Sequence, residues 1–332
     1  TYGYCQKVRQ RVMKKNIAVV GCGHWGKNLI RNFAHMGVLE AVCDENDQLA
    51  QTYAEQHSIE HLSFSSILAS PIIEGVVLAV PAPLHASMAI EVMNAGKHVF
   101  VEKPLAMNKI DAETMIASAE ENNVHLMVGH LLQYHPIFMT VRKLVESKEL
   151  GDLSYIYSNR LSFGKVRSEE DVIWSFAPHD ISMILSLANQ EPEFITAHST
   201  AVLQDNIADT ATIHITFKSG LKSHVSVSWL HPYKEQKLVV IGKTAMIVFD
   251  DTKPWNEKLA IQKYQAELNQ GLTSLKKENL EFIEVIEDEP LKNECQHFIN
   301  VVENNIKPIT NEHEGLRVLK VLTAAIQSQK NN

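Results

Sequence analysis

From Asn16 onward, short runs of β-branched residues alternate with helix-length segments, and few architectures accommodate that alternation. Residues 17–20, 39–43, 76–80, 99–101 and 124–128 are apolar enough to be buried on both faces of a sheet. Helical stretches over 27–36 and 86–95 lie between them, closed by Gly37 and Gly96, and a glycine just past a helix end is a favoured stop. The pattern predicts a doubly wound parallel sheet with helices on both faces.

After about residue 150 the rhythm changes. The segments 153–161, 194–202, 210–217, 222–230, 237–241 and 246–250 are longer and partly alternate apolar with polar residues, with turns at Ser219-Gly220 and Gly242-Lys243. Such alternation predicts a mostly antiparallel open sheet with one wetter face. Helices are expected over 178–188, 289–303 and 312–327, and 256–281 reads as a polar surface excursion. A length of 332 residues suits two domains. The expected boundaries are an extension over 1–12, a parallel α/β domain over 13–136 and an α+β domain over 137–332.

Composition excludes several classes. Hydrophobic residues make up 45% and charged residues 21%, as in an ordinary globular protein. No apolar run approaches the roughly 20 residues that span a bilayer, and the start has no signal-peptide core. The 31 Lys and Arg against 39 Asp and Glu leave a net charge of −8, so no whole-protein basic field for nucleic acid exists. The cysteines Cys5, Cys22, Cys43 and Cys295 have no CxxC spacing, which argues against a structural zinc site or disulfide framework. No metal is expected, and the cytoplasm is the expected location.

Gly21-Cys22-Gly23-His24-Trp25-Gly26 is a GxGxxG turn placed directly after a strand and opening a helix, the context of a Rossmann dinucleotide site. Gly21 permits the sharp turn, Gly23 lets backbone N–H groups approach a pyrophosphate, and Gly26 allows close helix–strand packing. The helix N-terminus adds partial positive charge. Asp44, at the end of the second strand, can accept hydrogen bonds from a ribose diol and repels a 2′-phosphate, which favours NAD over NADP. Val80-Pro81-Ala82-Pro83-Leu84-His85 lies at the carboxyl end of another strand, where ligands of open sheets bind. Within it Val80, Pro81 and Leu84 are candidate cofactor contacts. His85 either touches the cofactor or caps the next helix.

Glu102-Lys103-Pro104 sets a lysine at the mouth of the sheet beside a carboxylate. Together with Gly21–Gly26, Asp44 and Pro81 to His85, the segment Gly96 to Ala106 (GKHVFVEKPLA) resembles the glucose–fructose oxidoreductase, inositol dehydrogenase and rhizopine catabolism (Gfo/Idh/MocA) family of NAD(P)-dependent sugar dehydrogenases, from about Lys15 to Ala325. By this resemblance Lys103 is the active-site lysine and Glu102 a neighbour of the cofactor. The family also carries Asp-x-x-x-His on a helix of the second domain. The histidine is present as His179, but Ser175 stands in the aspartate's place and Asp180 follows the histidine. Asp180 points away from His179 on a helix and reads as a solvent or helix-terminal charge. The family's Arg-[Phe/Tyr]-x-Pro is altered to Gln133-Tyr134-His135-Pro136. Lys103 and His179 are then the catalytic pair. A neutral imidazole suits proton acceptance and an ammonium steadies the developing alkoxide, with exchange of these roles open.

The stretch from Tyr155 to Asp180 and the later VSWLHPYKEQKLVVIG resemble members that oxidise the ring 3-hydroxyl of a UDP-N-acetylhexosamine or its uronate, ahead of an aminotransferase in surface-polysaccharide pathways. Arg160, Lys165 and Arg167 suit a diphosphate or carboxylate, and Tyr157 and Trp174 suit a sugar or uracil ring. The alternative for these residues is a solvated loop paired with Glu169, Glu170 and Asp171. Trp229 reads as core or interface. Other readings are a dehydrogenase of a free sugar or inositol and a non-catalytic NAD-binding sensor. The open sheet predicts a homodimer or homotetramer.

Overall fold

The computed structural model describes residues 14, 16–164, 166–168, 170–269 and 272–329. The extension read over 1–12 and the candidate Lys165 lie outside the described residues. Six parallel strands form the first sheet: β1 (Ile17–Val20), β2 (Leu39–Cys43), β3 (Glu60–His61), β4 (Gly75–Leu78), β5 (His98–Val101) and β6 (Leu126–Val128), in the spatial order β3-β2-β1-β4-β5-β6. Their β-branched residues are buried because helices cover both faces. The helices are α1 (Gly26–His35), α2 (Asp47–His57), α3 (Phe64–Ala69), α4 (His85–Asn94) and α5 (Lys109–Glu121), while α6 (Pro136–Glu146) packs into the core of the second sheet. Polar side chains start several of them: Asn46, Ser63 and Asn108 each accept a backbone N–H of the first turn. The parallel, doubly wound sheet is as expected, although the fourth strand ends at Leu78 rather than residue 80.

The second sheet contains β7 (Leu153–Phe163), β8 (Pro192–Thr200), β9 (Thr210–Phe217), β10 (Lys222–Ser228), β11 (Leu230–Gly242), β12 (Ala245–Asp250), β13 (Leu259–Asn269), β14 (Leu272–Lys277) and β15 (Glu281–Phe282). Its order is β14-β13-β12-β11-β7-β10-β9-β8, with β15 beside β13. Every pairing is antiparallel except β7 with β10. The stretch 256–281, expected as an excursion, instead supplies β13 and β14.

Three further helices complete the chain: α7 (Val172–Ala188), α8 (Pro290–Asn304) and α9 (Glu312–Gln329). Helix α7 begins six residues before the expected 178. Asp171 caps it through the Trp174 N–H at 3.0 Å, and Pro178 sits inside the helix rather than at its start. The expected boundary at 136/137 does not describe α8. Its Leu291, Cys295, Phe298 and Ile299 join the core built around Ile17, Phe33 and Phe100, on the first sheet. Phe298 lies 5.6 Å from Phe100 and 6.3 Å from Phe33, ring centre to ring centre. Helix α9 bridges the two halves, with Leu316 and Leu319 in one core and Val318, Val321 and Leu322 in the other. The second sheet is thereby fastened to the carboxyl edge of the first. Among the described residues, no helix is long and apolar enough to cross a membrane.

Candidate active site

The turn after β1 has the dimensions its glycines predict. Gly21 adopts φ +98°, and a Cβ there would lie 2.4 Å from the Ala79 carbonyl oxygen. A Cβ on Gly26 would lie 1.8 Å from the Gly21 carbonyl oxygen, so helix α1 can approach the strand this closely only without a side chain. Nothing stands within 4 Å of the position a Gly23 side chain would take. The Asp44 carboxylate accepts the backbone N–H of Cys22 at 2.6 Å and of Asn46 at 2.8 Å, which ties the end of β2 to the turn. Each oxygen keeps a further lone pair for a hydroxyl donor. An open backbone cradle, a helix N-terminus and an acidic strand end fit a dinucleotide.

The neighbouring strand ends differ in what they offer. Val80, Pro81 and Leu84 remain at the mouth, Leu84 being 45% exposed. His85 does not. It is 1% exposed, with Nδ1 2.7 Å from the Pro104 carbonyl and Nε2 2.9 Å from that of Val80. Burial holds its pKa below the ordinary histidine range, against the pull of these two carbonyls. His85 clamps the Lys103–Pro104 loop to the end of β4, and the expected cofactor contact gives way to that structural role. His24 and Trp25 are exposed, and the Trp25 indole donates to Glu102 across the mouth. Burial pushes the Glu102 carboxyl up, against the pull of Trp25 and Lys103.

Lys103 reaches the second domain. Its ammonium donates to the Ser175 carbonyl at 3.3 Å, one helical turn before His179 on α7. Burial lowers the Lys103 pKa, opposed by Glu170 and Glu102. His179 is held well below its ordinary value, first by burial and then by Lys103, Arg160 and His130. Its Nδ1 is buried without a hydrogen-bond partner. The arrangement offers a neutral imidazole and a desolvated amine on one side of a cleft whose other side suits a dinucleotide. That is the equipment for removing a proton from an alcohol.

Two expected substrate contacts, Arg160 and Tyr157, fall elsewhere, and Asp180 does not face solvent. Asp180 is 1% exposed and accepts the Ser158 hydroxyl and the Arg160 guanidinium, with Nε to Oδ2 at 2.6 Å and Nη2 to Oδ1 at 3.3 Å. It is a buried anchor, not a solvent charge: the side of α7 away from His179 faces the sheet. Arg160 is correspondingly committed to Asp180 rather than free for a phosphate. Tyr157 lies on the opposite face of β7 from Ser158 and Arg160, because strand side chains alternate. It stacks on His224 at 5.2 Å, away from His179. Arg167 stays exposed, paired with Glu170 at 2.9 Å, and its charge acts on Lys103. Trp174 is half-buried at the junction of the two cores. Trp229 is core, its indole donating to Asp209.

A network absent from the sequence reading stands behind His179. His130, just after β6, is 6.4 Å from His179 between ring centres, with the rings edge to face. Its Nδ1 meets Glu314 Oε2 at 2.5 Å. Ser182 donates to Glu314 Oε1 at 2.6 Å, Gln133 to Ser182 at 2.8 Å, and Arg142 to Gln133 at 3.2 Å. A polar residue at the mouth of a parallel strand was a signal for His130; no local signal marks Glu314.

A dinucleotide-type sheet joined to an open sheet, with a lysine and a histidine at their junction, defines a two-domain oxidoreductase. The chain belongs to the Gfo/Idh/MocA family: residues 15–130 match the model described as oxidoreductase family, NAD-binding Rossmann fold, and residues 138–248 match the GFO/IDH/MocA C-terminal domain. It is 27% identical over 313 residues to UDP-N-acetylglucosamine 3-dehydrogenase of Acidithiobacillus ferrooxidans, covering 93% of this chain and 94% of that one. The crystal structure of that enzyme, GnnA, superposes with a TM-score of 0.84 at 24% identity, covering 95% and 97%. Inositol 2-dehydrogenase of Rhizobium meliloti is 23% identical, covering 87% and 88%.

Proposed function

We propose that this protein oxidises the ring 3-hydroxyl of a UDP-N-acetylhexosamine, UDP-N-acetylglucosamine or its uronate, to the 3-keto sugar with NAD. The observation that carries the reading is the contact of Lys103 with the helical turn leading to His179, at the mouth of the glycine turn. Similarity to a UDP-N-acetylglucosamine 3-dehydrogenase along nearly the full length of both chains supports the substrate class. Gly21, Gly23, His24, Trp25 and Gly26 would hold the pyrophosphate end of NAD, Asp44 the adenosine ribose, and Val80, Pro81, Leu84 and Glu102 the approach to the nicotinamide. When bound, NAD supplies the acceptor for the hydride from C3.

The chain's own groups manage the proton. His179, neutral because burial and three nearby cationic or ionisable groups disfavour its charged form, takes the hydroxyl proton. Lys103 donates to the same oxygen and steadies its alkoxide character. Arg167 is the remaining described cation for the diphosphate or carboxylate, and Trp174 the remaining aromatic for a ring. The product ketone suits an aminotransferase acting next, and the open face of the second sheet, with Tyr155, Tyr157 and His224 on it, suits pairing with a second copy. The test is NAD reduction measured with UDP-N-acetylglucosamine, its uronate, free N-acetylglucosamine and myo-inositol, with an aminotransferase present to remove the ketone. The reading expects turnover with a UDP-sugar and at least about tenfold less with the free sugars. Faster turnover of inositol or free sugar overturns the substrate, and NAD binding with no turnover favours a sensor.

A further inference from the structure

The helix position four residues before His179 holds Ser175, whose buried hydroxyl has no hydrogen-bond partner and contributes no charge. An imidazole that must accept a proton at one nitrogen needs its other nitrogen fixed as N–H, and its cationic form needs a nearby anion. The unpartnered Nδ1 of His179 shows that α7 itself supplies neither. Across the cleft floor, His130 and Glu314 are placed where they could supply both. The carboxylate of Glu314, in the first turn of α9 where the helix dipole favours an anion, fixes the proton of His130 on Nδ1. That leaves His130 Nε2 as a lone-pair acceptor. The two rings stand edge to face with centres 6.4 Å apart and no direct hydrogen bond between them, so a hydrogen-bonded link between them would run through a water. His130 is almost wholly enclosed, at 2% side-chain exposure, and Glu314 keeps 15%.

We propose that His130 and Glu314 are the positioning residues of His179: they hold it as the Nδ1–H tautomer and balance the imidazolium that forms when it takes the substrate proton. The inference rests on the proposed role of His179 as base. In the proposed chain Glu314 holds His130 as Nδ1–H, a shared water donates to His130 Nε2 and accepts from His179 Nδ1–H, and His179 Nε2 is left bare for the hydroxyl. The proton enters at Nε2 as the hydride leaves C3, so no further reagent is required. Ser182, anchored by Gln133 and through it by Arg142, holds the second oxygen of Glu314 and so the direction of the first.

Glu314→Gln tests this. With its carbonyl oxygen held by the Ser182 hydroxyl, the amide presents an N–H where His130 needs an acceptor, which turns His130 to Nε2–H and makes the shared water a donor to His179 Nδ1. The expected result is a fall in kcat of at least about 100-fold with KM changed by less than about threefold. Nitrogen-15 histidine spectra of the full chain without NAD read the tautomers directly. Wild type is expected to carry both His130 and His179 as Nδ1–H, and Glu314→Gln to convert both. An Nε2–H tautomer for either ring in wild type, or an unchanged His179 tautomer in Glu314→Gln, overturns the proposal. If no sugar is oxidised, the proposed function fails separately, and the spectra still decide the tautomer claim.

Discussion

The Asp180–Arg160 pair locks the helix bearing His179 to the second sheet, and removing Asp180 tests how much that lock contributes. Asp180→Ala deletes two hydrogen-bonded contacts to the guanidinium and an acceptor of the Ser158 hydroxyl, at a side chain only 1% exposed. Arg160, 15% exposed, is left as an uncompensated, half-dehydrated cation. Breaking a buried pair from one side costs about 3–5 kcal/mol, while the Ser158 hydroxyl keeps the Lys237 carbonyl as an acceptor at 3.2 Å. The expected loss is therefore about 3–5 kcal/mol, read as a fall in the urea midpoint at unchanged slope. Replacing both partners, as in Arg160→Met with Asp180→Leu, removes the stranded charge and is expected to recover most of that loss. The single variant also leaves positive charge beside His179, which already lowers its pKa, so kcat should fall more than stability alone explains. A loss below about 1 kcal/mol in Asp180→Ala, or a double variant no more stable than the single, would refute the claim that this pair is a buried anchor.

Gly26→Ala forces a methyl toward the Gly21 carbonyl, 1.8 Å away, so the turn must open, and NAD affinity in titration calorimetry should drop at least about tenfold. Asp44→Asn removes the charge that meets a 2′-phosphate, and the ratio of kcat/KM for NAD over NADP should fall by about tenfold or more. His98 is pushed down to about 4 by burial and by stacked His125, so its contribution to stability is fully present above about pH 6.5 and is lost as pH falls toward 4. His98→Gln should therefore flatten the acid limb of stability by on the order of 2 kcal/mol in denaturant titrations, and an unchanged limb contradicts the assignment.

The parallel sheet was legible because strands buried on both faces must be continuous apolar runs, and residues 17–20 and 76–80 are such runs. The glycine turn was legible because each glycine answers a separate steric demand. Helix α7 was read six residues short because a proline is favoured in a first helical turn. Here Pro178 is interior, and Asp171 makes the true cap. Asp180 was misassigned for a related reason: being turned from His179 was equated with facing water, whereas that side of α7 packs on β7. The opposite facing of Tyr157 and Arg160 followed from the period of a strand and could have been read in advance. The His130–Glu314 contact could not, since 184 positions separate its partners and only the return of α9 across the sheet edge brings them together.

The most direct measurement follows the hydrogen on C3. With UDP-N-acetylglucosamine deuterated at that carbon, wild-type protein is predicted to transfer the label to the nicotinamide ring, detected by mass. Lys103→Met is predicted to bind NAD normally yet transfer none. Reduced nicotinamide that carries no deuterium, or label transfer undiminished in Lys103→Met, would contradict the account.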